Sequence, residues 1–93
     1  MGPLEKDEEA KFCRWARKEG FLVRKMNGLS ERHWPDRMIL GQGKVLFLEF
    51  KRQGGKLTPG QEAMIDELRE AGFAADVVHS CEEAKYAVEE WFT

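Results

Sequence analysis

With two cysteines, one tyrosine and three prolines in 93 residues, the chain has little material for a disulfide scaffold or a proline-rich spacer. Cys13 and Cys81 lack zinc-ligand spacing to each other, to His33 or to His79, and read as half-buried free thiols of a cytoplasmic protein. No apolar run approaches the ~20 residues that a bilayer crossing needs, and no charged-then-apolar leader opens the chain. Internal repeats, low-complexity tracts and dividing linkers are missing as well. The expectation is one domain over residues 1–93, with residues 1–6 left outside the fold reasoning. A chain of this length buries only about two-thirds of its unfolded surface, which limits it to one compact core.

What is present is an ordinary globular balance of 42% hydrophobic and 34% charged residues, with a net charge of −2. The net value hides a segregation. Residues 11–56 carry twelve Lys/Arg against four Asp/Glu, whereas residues 57–93 carry two against nine. One basic face that meets a polyanion and one acidic face that does not would account for this split. Uneven but merely solvated surface is the bland alternative.

From Asp7 to Lys18, Phe12, Trp15 and Ala16 recur at helical spacing, acids lead, Arg17 and Lys18 trail, and Gly20 ends the run, which predicts a first helix. Phe21–Met26 is β-rich; Asn27–Pro35 has loop composition; Asp36–Leu40 and Val45–Phe50 are two further strands around a Gly41-Gln42-Gly43 turn. The last of these is almost wholly apolar, as expected of a strand buried on both faces. Thr58-Pro59-Gly60-Gln61 has the form of a capping box with proline at the first helical position, and Met64, Ile65, Leu68 and Ala71 form that helix's apolar face. A strand from Phe73 to Val78 follows, then a helix opened by Ser80 and Glu83 with Ala84, Ala87, Val88 and Trp91 inside. The predicted fold is α/β, in the order αβββαβα: a four-stranded mixed sheet flanked by helices, with strand four parallel to strand three.

Glu49 and Lys51 are two residues apart on strand three and so share a face. Unpaired charge on a central strand costs several kcal/mol, so either the two pair with each other or they have a partner elsewhere. Asp36 on the antiparallel neighbour is that partner in two registers: a two-residue Gly41-Gln42 loop makes it diagonal to Glu49, and a four-residue loop sets it directly opposite. Two converging carboxylates repel unless a cation joins them, and oxygen ligands with room for water suit Mg²⁺ or Mn²⁺. A lysine beside that ion can orient or deprotonate a water, or stabilise charge building on a phosphate.

Pro35-Asp36 followed by Glu49-Phe50-Lys51 resembles the PD-(D/E)xK nuclease signature. The surroundings are similar to the virus-type replication-repair nuclease domain (VRR-Nuc), and more distantly to archaeal Holliday-junction resolvases. Glu9, Phe12 and Gly20-Phe21 match the family's opening helix; Leu57-Thr58-Pro59-Gly60-Gln61, Ala71-Gly72, Val77-Val78 and Glu83-Ala84 match its later segments. The resemblance implies a restriction-endonuclease-like core and a metal-dependent endonuclease acting on DNA. It implies Asp36, Glu49, Glu9 and the Phe50 carbonyl as metal ligands, Lys51 as the catalytic lysine, and Gln61 as either a further catalytic residue or only a helix cap. Glu8 competes with Glu9 for its role. Arg24, Lys25, Arg37, Arg52 and Lys56 are the candidate DNA contacts. Stand-alone relatives of this kind, in phages and bacteria, act as homodimers on branched DNA, so the resemblance further implies Holliday-junction or flap substrates. Nicking with little selectivity and a catalytically idle DNA-binding module are the rival expectations. The family has a small residue two before the Asp, where this chain has Trp34, a candidate for base stacking, core packing or dimer contact. Trp91, Phe92 and Trp34 together suggest an aromatic dimer surface.

Overall fold

A computed structural model describes residues 5–26 and 33–92. The loop expected from Asn27 lies outside the described residues as far as position 32, as do residues 1–4. The elements are α1 (Glu5–Lys18), β1 (Leu22–Lys25), β2 (Arg37–Gly41), β3 (Lys44–Phe50), α2 (Pro59–Glu70), β4 (Ala74–Val78) and α3 (Cys81–Phe92). The order is the expected one. The sheet runs β1-β2-β3-β4, antiparallel across the first two pairs and parallel between β3 and β4. A parallel neighbour needs a crossover, and α2 supplies it.

Local chemistry explains the element ends. Gly20 (φ +96°) and Gly72 (φ +95°) close α1 and α2 in the left-handed conformation. In each case the following phenylalanine's N–H reaches back five residues, Phe21 to the Ala16 carbonyl and Phe73 to that of Leu68, both at 3.0 Å. Gln42 (φ 53°) and Gly43 (φ 73°) form the two-residue turn of the β2–β3 hairpin, whose paired positive φ values match the strands' twist.

β3 sorts its side chains to two cores. Leu46, Leu48 and Phe50 join Phe12, Ala16, Ile39, Ala84 and Val88 on the face covered by α1 and α3, while Phe47 joins Ile65, Leu68 and Ala75 on the face covered by α2. Fully buried side chains such as Phe12 and Leu48 each contribute about 1.5–3 kcal/mol relative to exposure.

The aromatic surface expected for a dimer is largely used inside the chain. Phe92 is buried, with its ring 4.7 Å from that of Phe21, and Trp34 packs on Phe47 at 5.9 Å. Trp91 is half-buried against the α1/α3 core with Lys44 over its ring. The inner stripe of α3 therefore includes Ala84, Ala87 and Val88 as expected, with Trp91 partly buried against the same core, and it extends to Cys81 and Phe92 as well.

Candidate active site

The site forms where β2 begins and β3 ends. The hairpin register pairs Leu40 with Val45 and Arg37 with Leu48, so Asp36, one residue before β2, stands opposite Glu49. This is the direct-pairing register of the two that the sequence allows. Two backbone hydrogen bonds fix Asp36: the Met26 N–H donates to its carbonyl at 2.8 Å, and the Phe50 N–H donates to its Oδ2 at 2.8 Å. Lys51 is anchored by its own N–H to the Val78 carbonyl at 2.9 Å, and its Nζ lies 3.6 Å from Glu49 Oε2.

Glu49 is 4% exposed. Burial, followed by the charge of Asp36, pushes its carboxyl up to about 7, against the opposing pull of Lys51. The two facing carboxyls thus resist both carrying full negative charge near neutral pH.

A cavity of about 370 Å³ opens over this pair, lined by Lys6, Glu9, Asp36, Glu49, Phe50, Lys51 and Gln61. Glu9, Asp36, Glu49, Phe50, Lys51 and Gln61, proposed from the sequence for chemistry or metal ligation, are all on that wall. Glu8 is not: its Oε1 accepts the Cys81 N–H at 2.8 Å and its Oε2 pairs with Lys11 at 3.1 Å, tying α1 to the start of α3. Those two contacts, the backbone one first, hold its carboxyl below the ordinary range.

Glu9 reaches the cavity from α1, but its Oε2 is 2.6 Å from Arg37 Nε, with both side chains only 17% exposed. Arg37 thereby departs from its expected role as a surface phosphate contact. Strand alternation turns it to the α1 side, opposite in direction to Asp36, where Glu9 takes it up. Gln61 closes the capping box with Thr58, its Oε1 accepting the Thr58 N–H at 3.0 Å, while the same side chain forms cavity wall. Arg24, Lys25, Arg52 and Lys56 are exposed. The residue that sequence reasoning missed is Lys6, which the basic segment 11–56 excludes; its spacing of three from Glu9 on one helix face was the available signal.

Among the described residues, no three His, Cys, Asp or Glu side chains converge closely enough to hold one ion. The oxygen set at hand is the Asp36–Glu49 pair with the neighbouring Phe50 backbone. Two carboxylates that repel, beside open cavity, fit a hard divalent cation that keeps several waters. A larger groove of about 480 Å³, between β4 and α3, shares no lining residue with this site.

Residues 30–82 match the model of the VRR-NUC domain family. No curated protein matches the chain. A solved structure titled "VRR_NUC domain" is 26% identical, with a TM-score of 0.72, over 90% of this chain and 97% of its own. Another, titled "VRR_NUC domain protein", is 18% identical with a TM-score of 0.83 over 99% of this chain and 90% of its own, a likeness of fold. With the family's model spanning more than half of its length, and the acidic pair and lysine in one cavity, this chain belongs to the VRR-NUC domain family, a nuclease-type family.

Proposed function

We propose that the protein is a divalent-cation-dependent endonuclease that hydrolyses phosphodiester bonds in DNA. The observation that carries this reading is the meeting of Asp36 and Glu49 with Lys51 Nζ 3.6 Å from Glu49, in a cavity of a VRR-NUC chain. Asp36, Glu49 and the Phe50 carbonyl would hold Mg²⁺ or Mn²⁺. The ion supplies Lewis-acid polarisation of the phosphate and offsets the carboxylates' charge.

The chain's own residues do the rest. The Phe50 N–H donates to one oxygen of Asp36 and so fixes that carboxylate in the cavity wall. Lys51 presents its ammonium to a phosphate oxygen and stabilises the charge that grows there as water attacks. Arg37 pairs with the Glu9 carboxylate and fixes it at the wall, where it can accept a hydrogen bond from a water. Gln61, with its oxygen committed to Thr58, has its amide N–H groups left to orient a ligand.

Cutting one strand at a nick or flap is the form of this activity that the burial of Phe92 and the packing of Trp34 on Phe47 favour, because one chain carries one site and these two aromatics are already used within it. Symmetric cutting of a Holliday junction is the second reading. It rests on the family resemblance and requires a homodimer with two sites on a two-fold axis. Labelled plasmid, flap and four-way-junction substrates test both, with Mg²⁺, Mn²⁺ or excess EDTA. Cleavage in a divalent cation that is lost in EDTA and in Asp36→Asn is expected; full activity in EDTA would overturn the metal mechanism. Sedimentation at micromolar concentration separates the two forms: an ~11 kDa species that cuts flaps supports the first, and a dimer that cuts junctions in pairs supports the second.

A further inference from the structure

Lys6 lies in the first turn of α1, where the helix dipole disfavours a cation, and Asp7, Glu8 and Glu9 follow it as the dipole prefers. The side chain is exposed, and no ion pair among the described residues engages it. Helix stability therefore gives no reason for a lysine at this position. Its surroundings do. Lys6 and Glu9 are three apart on one helical face, and both form wall of the cavity that contains Asp36, Glu49 and Lys51. The neighbouring cations are committed elsewhere: Lys11 to Glu8 at 3.1 Å and Arg37 to Glu9 at 2.6 Å. A polyanion that approaches three carboxylates needs positive charge not already taken up by them. Lys51 lies against Glu49, which leaves Lys6 as the cation that α1 contributes to the cavity without an acidic partner of its own.

We propose that Lys6 is a substrate-holding residue, whose ammonium engages a phosphate of the strand being cut next to the phosphate that Lys51 faces. The inference rests on the reading of the site as a DNA nuclease and adds to it a contact from α1, outside the basic segment of the sequence. The test is fluorescence anisotropy with a labelled flap duplex in Ca²⁺ across a salt series, followed by steady-state cleavage in Mg²⁺. Lys6→Ala is expected to weaken binding about 3- to 10-fold at 0.1 M salt and to flatten the slope of log affinity against log salt by about 0.7–0.9. Lys6→Arg should bind within about twofold of wild type, and Lys6→Glu more weakly than Lys6→Ala. In turnover the loss should fall on KM, with kcat within about threefold. Thermal melting of Lys6→Ala should match wild type, because the side chain is exposed and no ion pair among the described residues engages it. Unchanged affinity and slope in Lys6→Ala would overturn the proposal, as would a fall in kcat at constant KM or a Lys6→Arg variant as weak as alanine. A wild-type protein that binds no DNA removes the nuclease reading itself; normal wild-type binding with an insensitive Lys6 variant removes this inference alone.

Discussion

Replacing Glu49 by glutamine should stabilise the chelated protein at alkaline pH, although Glu49 is one of the residues best placed for the chemistry. The carboxyl is shifted from 4.5 to about 7 by burial and by Asp36. An acid with a raised folded-state pKa binds more protons folded than unfolded between those values, so stability falls as pH rises from about 4.5 to 7 and stays low above. At about 1.4 kcal/mol per pKa unit, the shift sets a ceiling of about 3 kcal/mol on that loss. Glutamine keeps the shape and removes the charge, while Asp36 retains its hydrogen bond from the Phe50 N–H. Lys51 loses a partner but is 20% exposed and can reach water. Part of the ceiling is therefore recovered, about 1–3 kcal/mol at pH 8.5, or roughly 5–15 °C in Tm for a domain of this size. At pH 4.5 the two proteins should melt together. Urea or thermal unfolding in excess EDTA at both values measures this. A saturating divalent cation should then invert the order at pH 8.5, since a ligand at 100 times its Kd adds about 2.7 kcal/mol to the protein that binds it. A Glu49→Gln protein less stable than wild type at pH 8.5 in EDTA would refute the reasoning, because the repulsion between the two carboxylates would then not exist in the folded state.

Lys51→Ala should lower kcat by about 100-fold or more while Ca²⁺-supported DNA binding stays within a few-fold of wild type, as single-turnover kinetics and anisotropy would register. Arg37→Met should cost about 1–3 kcal/mol in urea unfolding, because it strands the largely buried Glu9 charge, and adding Glu9→Gln should restore part of the loss. Substituting Arg24 and Lys25 together should flatten the log affinity–log salt slope by about 2, whereas Arg69 and Lys85 should leave it unchanged. Arg69 is held by the Ala75 carbonyl at 2.8 Å and Lys85 lies over Trp15, so that second pair reports on folding rather than on DNA.

Element order and most of the cavity wall are legible in the residues alone. Both follow from short-range rules. Glycines at 20 and 72 end helices because they alone enter the left-handed region cheaply, Thr58 and Gln61 cap within one turn, and Glu49 and Lys51 share a face because strand side chains alternate. The tertiary structure decided what depends on register and on packing between distant elements. Which of two hairpin registers sets Asp36 against Glu49 was settled by the turn at Gln42-Gly43, whose pairing extends to Gly41 and Lys44. Glu8 and Glu9 are adjacent in sequence and equally acidic. Only the packing of α1 against the start of α3 sends Glu8 to the Cys81 N–H and leaves Glu9 to Arg37 and the cavity. The same holds for Arg37, a surface cation by composition and a half-hidden partner by strand parity, and for Phe92, whose place against Phe21 depends on the angle at which α3 returns across the sheet. Lys6 was hidden for a related reason. It precedes the basic segment and was set aside with residues 1–6, while the helix carries it to the wall of a site formed thirty or more residues away.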